Sequence, residues 1–384
     1  MHKEIERKIL LNPGPATTTD SVKMAQIVPD ICPRENEFSE LMEGIRNDLL
    51  EIVNVNNNKY ITVLFGGSGT AIMESVITSV VPKEKTLLIL INGAYGERML
   101  QIAKIFSIPY KTIKYNWGEP INFAQVGNIL DVNQEIGYIA MVHHETTTGI
   151  LNPIDKFSQL GIKYGYPLLL DAISSYAGML IDLQNTPIDY LMSTSNKCIQ
   201  GMAGLAFAIC NKSQLLQLKR MPKCSFYLSL YDQYDYMNKT GQMRFTPPVQ
   251  SVYALRKAID EYFEEGIMGR YNRYTNNWQR LKAGLKELGF KFLLRPENES
   301  HILMTIVEPK NKNYNFDTLH DLLYKHSFTI YPGKIGSENT FRLSIMGAID
   351  ETDIILFINK LKEALITMKV VDSNTGKLYL ESVV

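Results

Sequence analysis

The sequence carries no excess of either charge: 40 Lys and Arg stand against 40 Asp and Glu. Without a dominant sign it offers no broad field for nucleic acid or an anionic membrane surface, so a small-molecule partner is expected. Cysteine is scarce too. Cys32, Cys198, Cys210 and Cys224 form no CxxC pair and no regular spacing, which reads as reduced thiols rather than a disulfide framework or a zinc site, and as a cytoplasmic compartment. No stretch approaches the ~18 uninterrupted apolar residues of a membrane span. The opening "MHKEIERKILLNPGP" has no continuous apolar segment of the kind that directs export, so the chain is expected to be neither exported nor inserted. Internal repeats, low-complexity tracts and blocks of like charge are missing, which confines expected disorder to the ends. The Gly-Lys-Ser/Thr of a P-loop and the GxGxxG of a dinucleotide fold are also absent, which argues against a nucleotide-binding oxidoreductase.

What is present is a long alternation. At 384 residues there is room for two domains. From about residue 60 to 210 the runs "YITVLF", "TLLILI", "YIAMVH", "PLLLD", "YLMST" and "LAFAIC" read as strands apolar on both faces, as in a covered parallel sheet. Helical patterns lie between them. In "NPIDKFSQLGIKYG", Asn152 is suited to the N-cap, Pro153 to the first turn, Ile154, Phe157 and Leu160 to an apolar stripe, and Gly165 to a left-handed stop. This is βαβ architecture, whose ligands gather at the carboxyl ends of the strands. After about residue 250, long helical stretches lead to "HILMTIV", "FTIYPG" and "TFRLSIMG" and a last helix, a smaller α/β unit. The expected partition is an irregular N-terminal arm over 1–45 that packs onto the small unit, a large domain over 46–250, and linking helices with a small C-terminal domain over 251–384.

Three features carry chemistry. In "FGGSGTAIMESV" an apolar strand ends at Phe65, and a Gly/Ser/Thr turn leads into a helix near Ala71. Such a turn can cup a phosphate, although by itself it reads equally as a plain tight turn. In "PLLLDAISSYAG", Asp171 closes a buried-looking strand; it is either an ordinary strand-end or capping residue or a counter-ion for a protonated ring nitrogen. In "LMSTSNKCIQGMAGLAFAIC", a lone Lys197 sits in a polar turn between two apolar strands. Burying an ammonium is costly unless it is paired, neutralised or used covalently, so Lys197 either snorkels outward or has chemistry to perform. Taken in order, the anion cup, the acid and the amine are what a pyridoxal phosphate enzyme brings to one sheet edge. "HHE" is not read as a metal site, because adjacent strand residues point to opposite faces and His143 and His144 cannot readily share an ion.

With "NPGPATTT", "GGSGT", "NGAYGERM", "AMVHHETTTGILNPID", "DAISSYAG", "DYLMSTSNKCIQG", "RFTPP", "IYPGK" and "FRLSIMG", the chain resembles the class V, fold-type I aminotransferases over nearly its whole length. It is most similar to their amino-phosphonate branch. The resemblance implies an α/β fold-type I transferase with pyridoxal 5'-phosphate as cofactor. It implies Lys197 as the Schiff-base lysine and Asp171 as partner of the ring nitrogen. Tyr95 would stack on the ring, Ser68, Gly69 and Thr70 would hold the phosphate, and Thr146, Ile173 and Asn196 would line the cofactor. Thr246 is expected to reach the phosphate of a neighbouring subunit, which makes a homodimer with a shared site. Arg342 is expected to grip the substrate acid with Gly14 nearby, and Arg34, on the arm, to contact the phosphonate. That arm departs from the degradative members, which leans the direction of reaction toward biosynthesis. The implied substrates are an amino-phosphonate and a 2-oxo acid; alternatives within the class are alanine with glyoxylate and serine with pyruvate. A cysteine desulfurase would need a mobile thiol, and Cys224, the one candidate, lies in apolar surroundings.

Overall fold

The computed structural model describes residues 6–335, 338–372 and 375–379. Its main sheet has seven strands among the described residues, in the order Tyr60–Gly66, Leu205–Asn211, Tyr190–Thr194, Leu168–Asp171, Ile136–Val142, Thr86–Ile91, Tyr110–Lys114. All six sequence-expected strands are in it. Both faces are covered, which is why these strands read as unbroken apolar runs: Leu87, Leu88, Ile89, Leu90 and Ile91 are all buried. Each such side chain contributes about 1.5–3 kcal/mol on burial, so the centre of the sheet is a rigid base for whatever its edges carry. The sheet is mostly parallel; the strand Leu205–Asn211 is the exception, running antiparallel to both of its neighbours.

A second, antiparallel sheet joins Lys291–Phe292, Leu303–Val307, Glu338–Ser344 and Tyr331–Ile335. Its core is separate from the main one and includes Leu281, Phe328, Phe341, Phe357 and Leu361. Three residues of the N-terminal arm, Ile9, Leu11 and Ala16, belong to this second core. Ile9 and Leu10 pair in parallel with Phe328 and Thr329, so the arm packs on the smaller unit.

The structure redraws several local expectations. The arm is not wholly irregular, since it contains the helices Asp20–Met24 and Asn36–Glu51. The second of these crosses residue 45 and buries Phe38, Met42, Ile45 and Leu49 in the larger core, so its apolar face decides its allegiance. Likewise the helix Val249–Glu265 crosses residue 250 and sends Leu255 and Ile259 into the larger core. In the helix Ile154–Tyr164 the cap is Pro153 rather than Asn152. Asn152 is drawn into a reciprocal amide pair with Asn92 (2.8 and 3.1 Å) and also donates to the Val142 carbonyl. Gly165 is the left-handed stop, at φ 69°.

Candidate active site

Adjacent parallel strands bring their carboxyl ends to one edge. Asp171 is the last residue of its strand, in register with Val142 on one side and Met192 on the other. The strand Tyr190–Thr194 then turns into the loop that bears Lys197. The turn closes on itself, with Gln200 N–H donating to the Lys197 carbonyl (2.9 Å) and Gly201 N–H to that of Ser195 (2.7 Å). The strand Tyr60–Gly66 ends beside this edge and leads through Ser68, the N-cap, into the helix Gly69–Val80. That helix begins two residues earlier than its sequence suggests. The Ser68 side chain makes no capping bond and is not spent on its own helix.

These elements enclose a cavity of about 180 Å³ lined by Ser68, Gly69, Thr70, Tyr95, Thr146, Asp171, Ile173, Asn196 and Lys197. Nine of the thirteen sequence-expected site residues therefore meet in one place. Gly69 is required by this closeness: a Cβ there would come within 2.9 Å of Ile173. Gly14 adjoins the site at φ 119°, and a Cβ on it would lie 2.7 Å from Cδ and Cε of Lys197. The Lys197 amine donates to the carbonyl of Pro13.

Burial sets the protonation of the two key groups. Asp171 is 3% exposed, and one of its oxygens accepts the Ile173 N–H at 2.8 Å. Enclosure pushes its pKa up to about 6, against the pull of that N–H and of the Arg98 and Lys197 charges. Lys197 is lowered to about 8, first by enclosure; Cys198 and Asp171 oppose the shift, and Arg342 and Arg98 add to it.

Arg342, on the strand Glu338–Ser344, faces this edge from the small unit. It donates Nη1 to the Thr146 carbonyl (3.1 Å) and Nη2 to that of Pro332 (3.0 Å), and it stacks on Tyr331. Its Nε is buried without a partner among the described residues. Two sequence-expected residues lie away from this cavity, Thr246 having been expected to serve a neighbouring subunit. Arg34 does not line the cavity, because its guanidinium is occupied by the Met243 carbonyl (2.7 Å), Gln242 Oε1 (3.1 Å) and the face of Tyr236. Thr246 is exposed and likewise does not line the cavity of its own chain.

Four lining residues escaped the sequence reading: Arg98, His144, Ser174 and Thr194. Arg98 donates to Thr70 Oγ1 (3.2 Å) and lies 4.7 Å from the Tyr95 ring. Its signal was available, since Tyr95 and Arg98 are three apart on one helix and share a face. His144 is held by Ser174 Oγ at Nδ1 (3.0 Å) and Ser300 Oγ at Nε2 (2.8 Å); His143 pairs with Ser175 Oγ (2.9 Å). The two imidazoles thus turn to different hydroxyls, and burial lowers them to about 4 (His143) and about 3 (His144), neutral at physiological pH. Among the described residues no group of three or more His, Cys, Asp or Glu is placed to hold a metal.

Behind the lining, Glu145 is fully buried and caps the helix Ala94–Ile105 from outside it. It accepts the N–H of Tyr95 (3.2 Å) and of Gly96 (2.8 Å). An acid at a helix N-terminus is favoured by the exposed N–H groups there. Burial nevertheless raises Glu145 to about 7.

A mostly parallel sheet covered on both faces, a small antiparallel unit beside it, and an amine, an acid and a phosphate-type turn at one edge define a fold-type I transferase. The aminotransferase class-V family model matches residues 24–355, and the chain belongs to that family. Among its relatives, the 2-aminoethylphosphonate–pyruvate transaminases of Bacillus mycoides (strain KBAB4) and Bacillus cereus (strain AH820) are each 40% identical over 360 residues, 93% of this chain and 98% of theirs. Among solved structures, the alanine–glyoxylate aminotransferase of Nostoc sp. superimposes with a TM-score of 0.87 at 25% identity, over 95% of this chain and 97% of that one. The ureidoglycine–glyoxylate aminotransferase of Bacillus subtilis, at TM-score 0.88 and 19% identity over 98% and 97%, shares the fold. The chain is an aminotransferase.

Proposed function

We propose that the chain transfers an amino group between 2-aminoethylphosphonate and pyruvate, in either direction, giving phosphonoacetaldehyde and L-alanine, with pyridoxal 5'-phosphate held in the Lys197 cavity. The observation that carries this reading is the meeting of Lys197, Asp171 and the Ser68–Thr70 turn in one enclosed space, in a chain 40% identical to transaminases of that name.

The residues fit this cofactor. Asp171 is a carboxylate at the cavity wall that, among the described residues, feels the Arg98 and Lys197 charges but makes no ion pair, and a protonated pyridine nitrogen would supply one. Ser68, the start of the helix Gly69–Val80, Thr70 and Arg98 offer hydroxyls, a helix N-terminus and a positive charge to a phosphate. When bound, pyridoxal phosphate supplies an aldehyde carbon and an electron-accepting ring. Lys197 would be the amine that holds this group and a base able to move a proton at the substrate carbon, work for which a pKa lowered to about 8 is suited. Asp171 would face the ring nitrogen and favour its protonated form, Tyr95 would lie beside the ring, and the Arg342 guanidinium would donate to the substrate acid.

The assembly is proposed to be a cytoplasmic homodimer. Exposed Thr246 lies next to an aromatic patch of Phe226, Tyr227 and Phe245, with Phe226 76% exposed. A surface of this kind suits contact with a second copy. The test is direct. Borohydride treatment of the purified yellow protein should fix the cofactor to a peptide containing Lys197, and 2-aminoethylphosphonate with pyruvate should yield alanine. Turnover confined to L-serine or to alanine with glyoxylate would overturn the substrate assignment.

A further inference from the structure

The loop bearing Lys197 is held from behind by the helix Ile267–Glu287. Arg270, Arg273, Tyr274 and Asn277 stand at spacings of three and four on one face of that helix. Tyr274 is fully buried, and its hydroxyl makes three bonds. It accepts the Gln200 Nε2–H at 2.7 Å and the Gly347 N–H at 3.1 Å, and it donates its own proton to the Cys198 carbonyl at 3.3 Å. One donated and two accepted bonds use the full capacity of a phenol hydroxyl. The same Cys198 carbonyl receives Arg270 Nη1 at 2.8 Å.

Each partner of this hydroxyl belongs to something that matters at the site. Cys198 follows Lys197 directly, and Gln200 closes the lysine turn with a left-handed φ of 66°. Gly347 lies five residues beyond Arg342 on the chain segment that continues its strand. That segment is pinned to the same helix: Arg273 Nη1 donates to the carbonyls of Gly347 and Ile349 (2.9 Å each), and Asn277 donates to Ile349 (2.8 Å). Glu265 ties Arg270 and Arg273 together. The N-terminal arm completes a ring, with Ala348 N–H on Thr17 (2.8 Å) and Ala16 N–H on Asn196 (3.0 Å). The backbone that carries the amine and the backbone that carries the acid-binding arginine therefore meet at one buried oxygen.

We propose that Tyr274 is a positioning residue for the transamination: its hydroxyl fixes the Cys198 peptide, and through it the direction of Lys197, relative to the segment that seats Arg342. The proposal rests on the reading of Lys197 as the cofactor-bearing amine. Replacing Tyr274 with Phe keeps the ring and removes the junction. It leaves two buried N–H groups without an acceptor and the Cys198 carbonyl with only its Arg270 bond, so the peptide loses one of its two anchors and its tie to the Gly347 segment.

The test uses the holoenzyme, wild type against Tyr274→Phe, with two readouts. The first is a spectrophotometric pH titration of the chromophore formed between Lys197 and pyridoxal phosphate. The second is kcat and KM for each substrate. The expected result is a displaced titration midpoint and a kcat lower by on the order of tenfold, with both KM values within about twofold, the signature of a misaligned reacting group rather than lost binding. Arg273→Gln removes the donor to the Gly347 and Ile349 carbonyls and reaches Cys198 only indirectly, through Glu265 and Arg270. It should move the midpoint in the same direction by less, and it decides the matter if the Phe variant does not fold. An unmoved midpoint, even with lower thermal stability or cofactor content, overturns the proposal. A wild-type enzyme whose chromophore is not attached to Lys197 overturns instead the reading on which it rests.

Discussion

Replacing Asp171 with Asn should stabilise the cofactor-free protein and weaken the cofactor-loaded one. Without a cation opposite it, the ionised carboxylate is penalised by burial, which raises its pKa from 3.8 to about 6. At about 1.4 kcal/mol per unit, that penalty amounts to about 3 kcal/mol once the group is fully ionised in both folded and unfolded chains. Because the folded pKa is the higher, the folded state binds the extra proton between pH 3.8 and 6. Stability is therefore lost as pH rises through that window and stays lower above it. Asn keeps the acceptor for the Ile173 N–H and carries no charge. Comparing the two apo proteins by urea unfolding at fixed protein concentration, the Asn variant should lead by about 3 kcal/mol at pH 7.5 and by less at pH 5. Addition of pyridoxal phosphate should reverse the order, since only the carboxylate gains a charged partner. An Asn variant no more stable than wild type at pH 7.5, with pyridoxal phosphate protecting both equally, would refute the reasoning: Asp171 would then not be a charge waiting for a cation.

Two further substitutions probe the walls of the site. In Gly93→Ala the new Cβ would sit 2.5 Å from Cδ and 2.6 Å from Oε2 of Glu145, displacing the carboxylate that caps the Tyr95 helix. Loss of that cap costs about 1–2 kcal/mol of stability and should raise the dissociation constant of pyridoxal phosphate, measured by absorbance titration; an unchanged constant would show that the cap does not govern Tyr95. Arg342→Lys cannot serve the Thr146 and Pro332 carbonyls and an incoming acid together. It should raise the KM for pyruvate on the order of tenfold to a hundredfold, the worth of a charge-assisted bond at about 1.5–3 kcal/mol, with kcat less affected. Steady-state kinetics in which kcat falls and KM holds would move Arg342 from binding to chemistry.

Much of this architecture is legible in the chain because the sheet is covered on both sides and its strands must be apolar throughout. The same uniformity hides direction, so the antiparallel run of Leu205–Asn211 left no trace in hydropathy. Local signals held where their partners are local: Gly165 stops its helix through its own backbone. They failed where a distant side chain competes, as when Asn92, 60 residues away, takes Asn152 from the helix it precedes. Glu145 is the sharpest case, since it caps a helix that begins some 50 residues earlier in sequence, a relation no capping pattern encodes. Arg34, expected from its place on the arm to contact the phosphonate, is held instead by Gln242 and Met243 from over 200 residues away, partners that no local pattern announces.

The lysine and the aspartate owe their unusual acidities to one cause, and that cause bears on the rate of amine chemistry. An amine attacks a carbonyl only as the free base. At pH 7 a pKa of about 8 leaves roughly 9% of Lys197 in that form, whereas an unperturbed 10.5 would leave about 0.03%. Enclosure accounts for most of the difference. The charges around the amine then pull in opposite senses: Asp171 favours the ammonium, while Arg98 and Arg342 oppose it. The two arginines are therefore not interchangeable with neutral hydrogen-bond donors. Arg98 beside Thr70 and Arg342 beside Thr146 place positive charge where the proposed phosphate and substrate acid would sit, and by the same Coulombic effect they favour the deprotonated amine. Neutralising either should shift the Lys197 titration upward as well as weaken anion binding, so a variant that loses affinity alone would show that the two effects are separable.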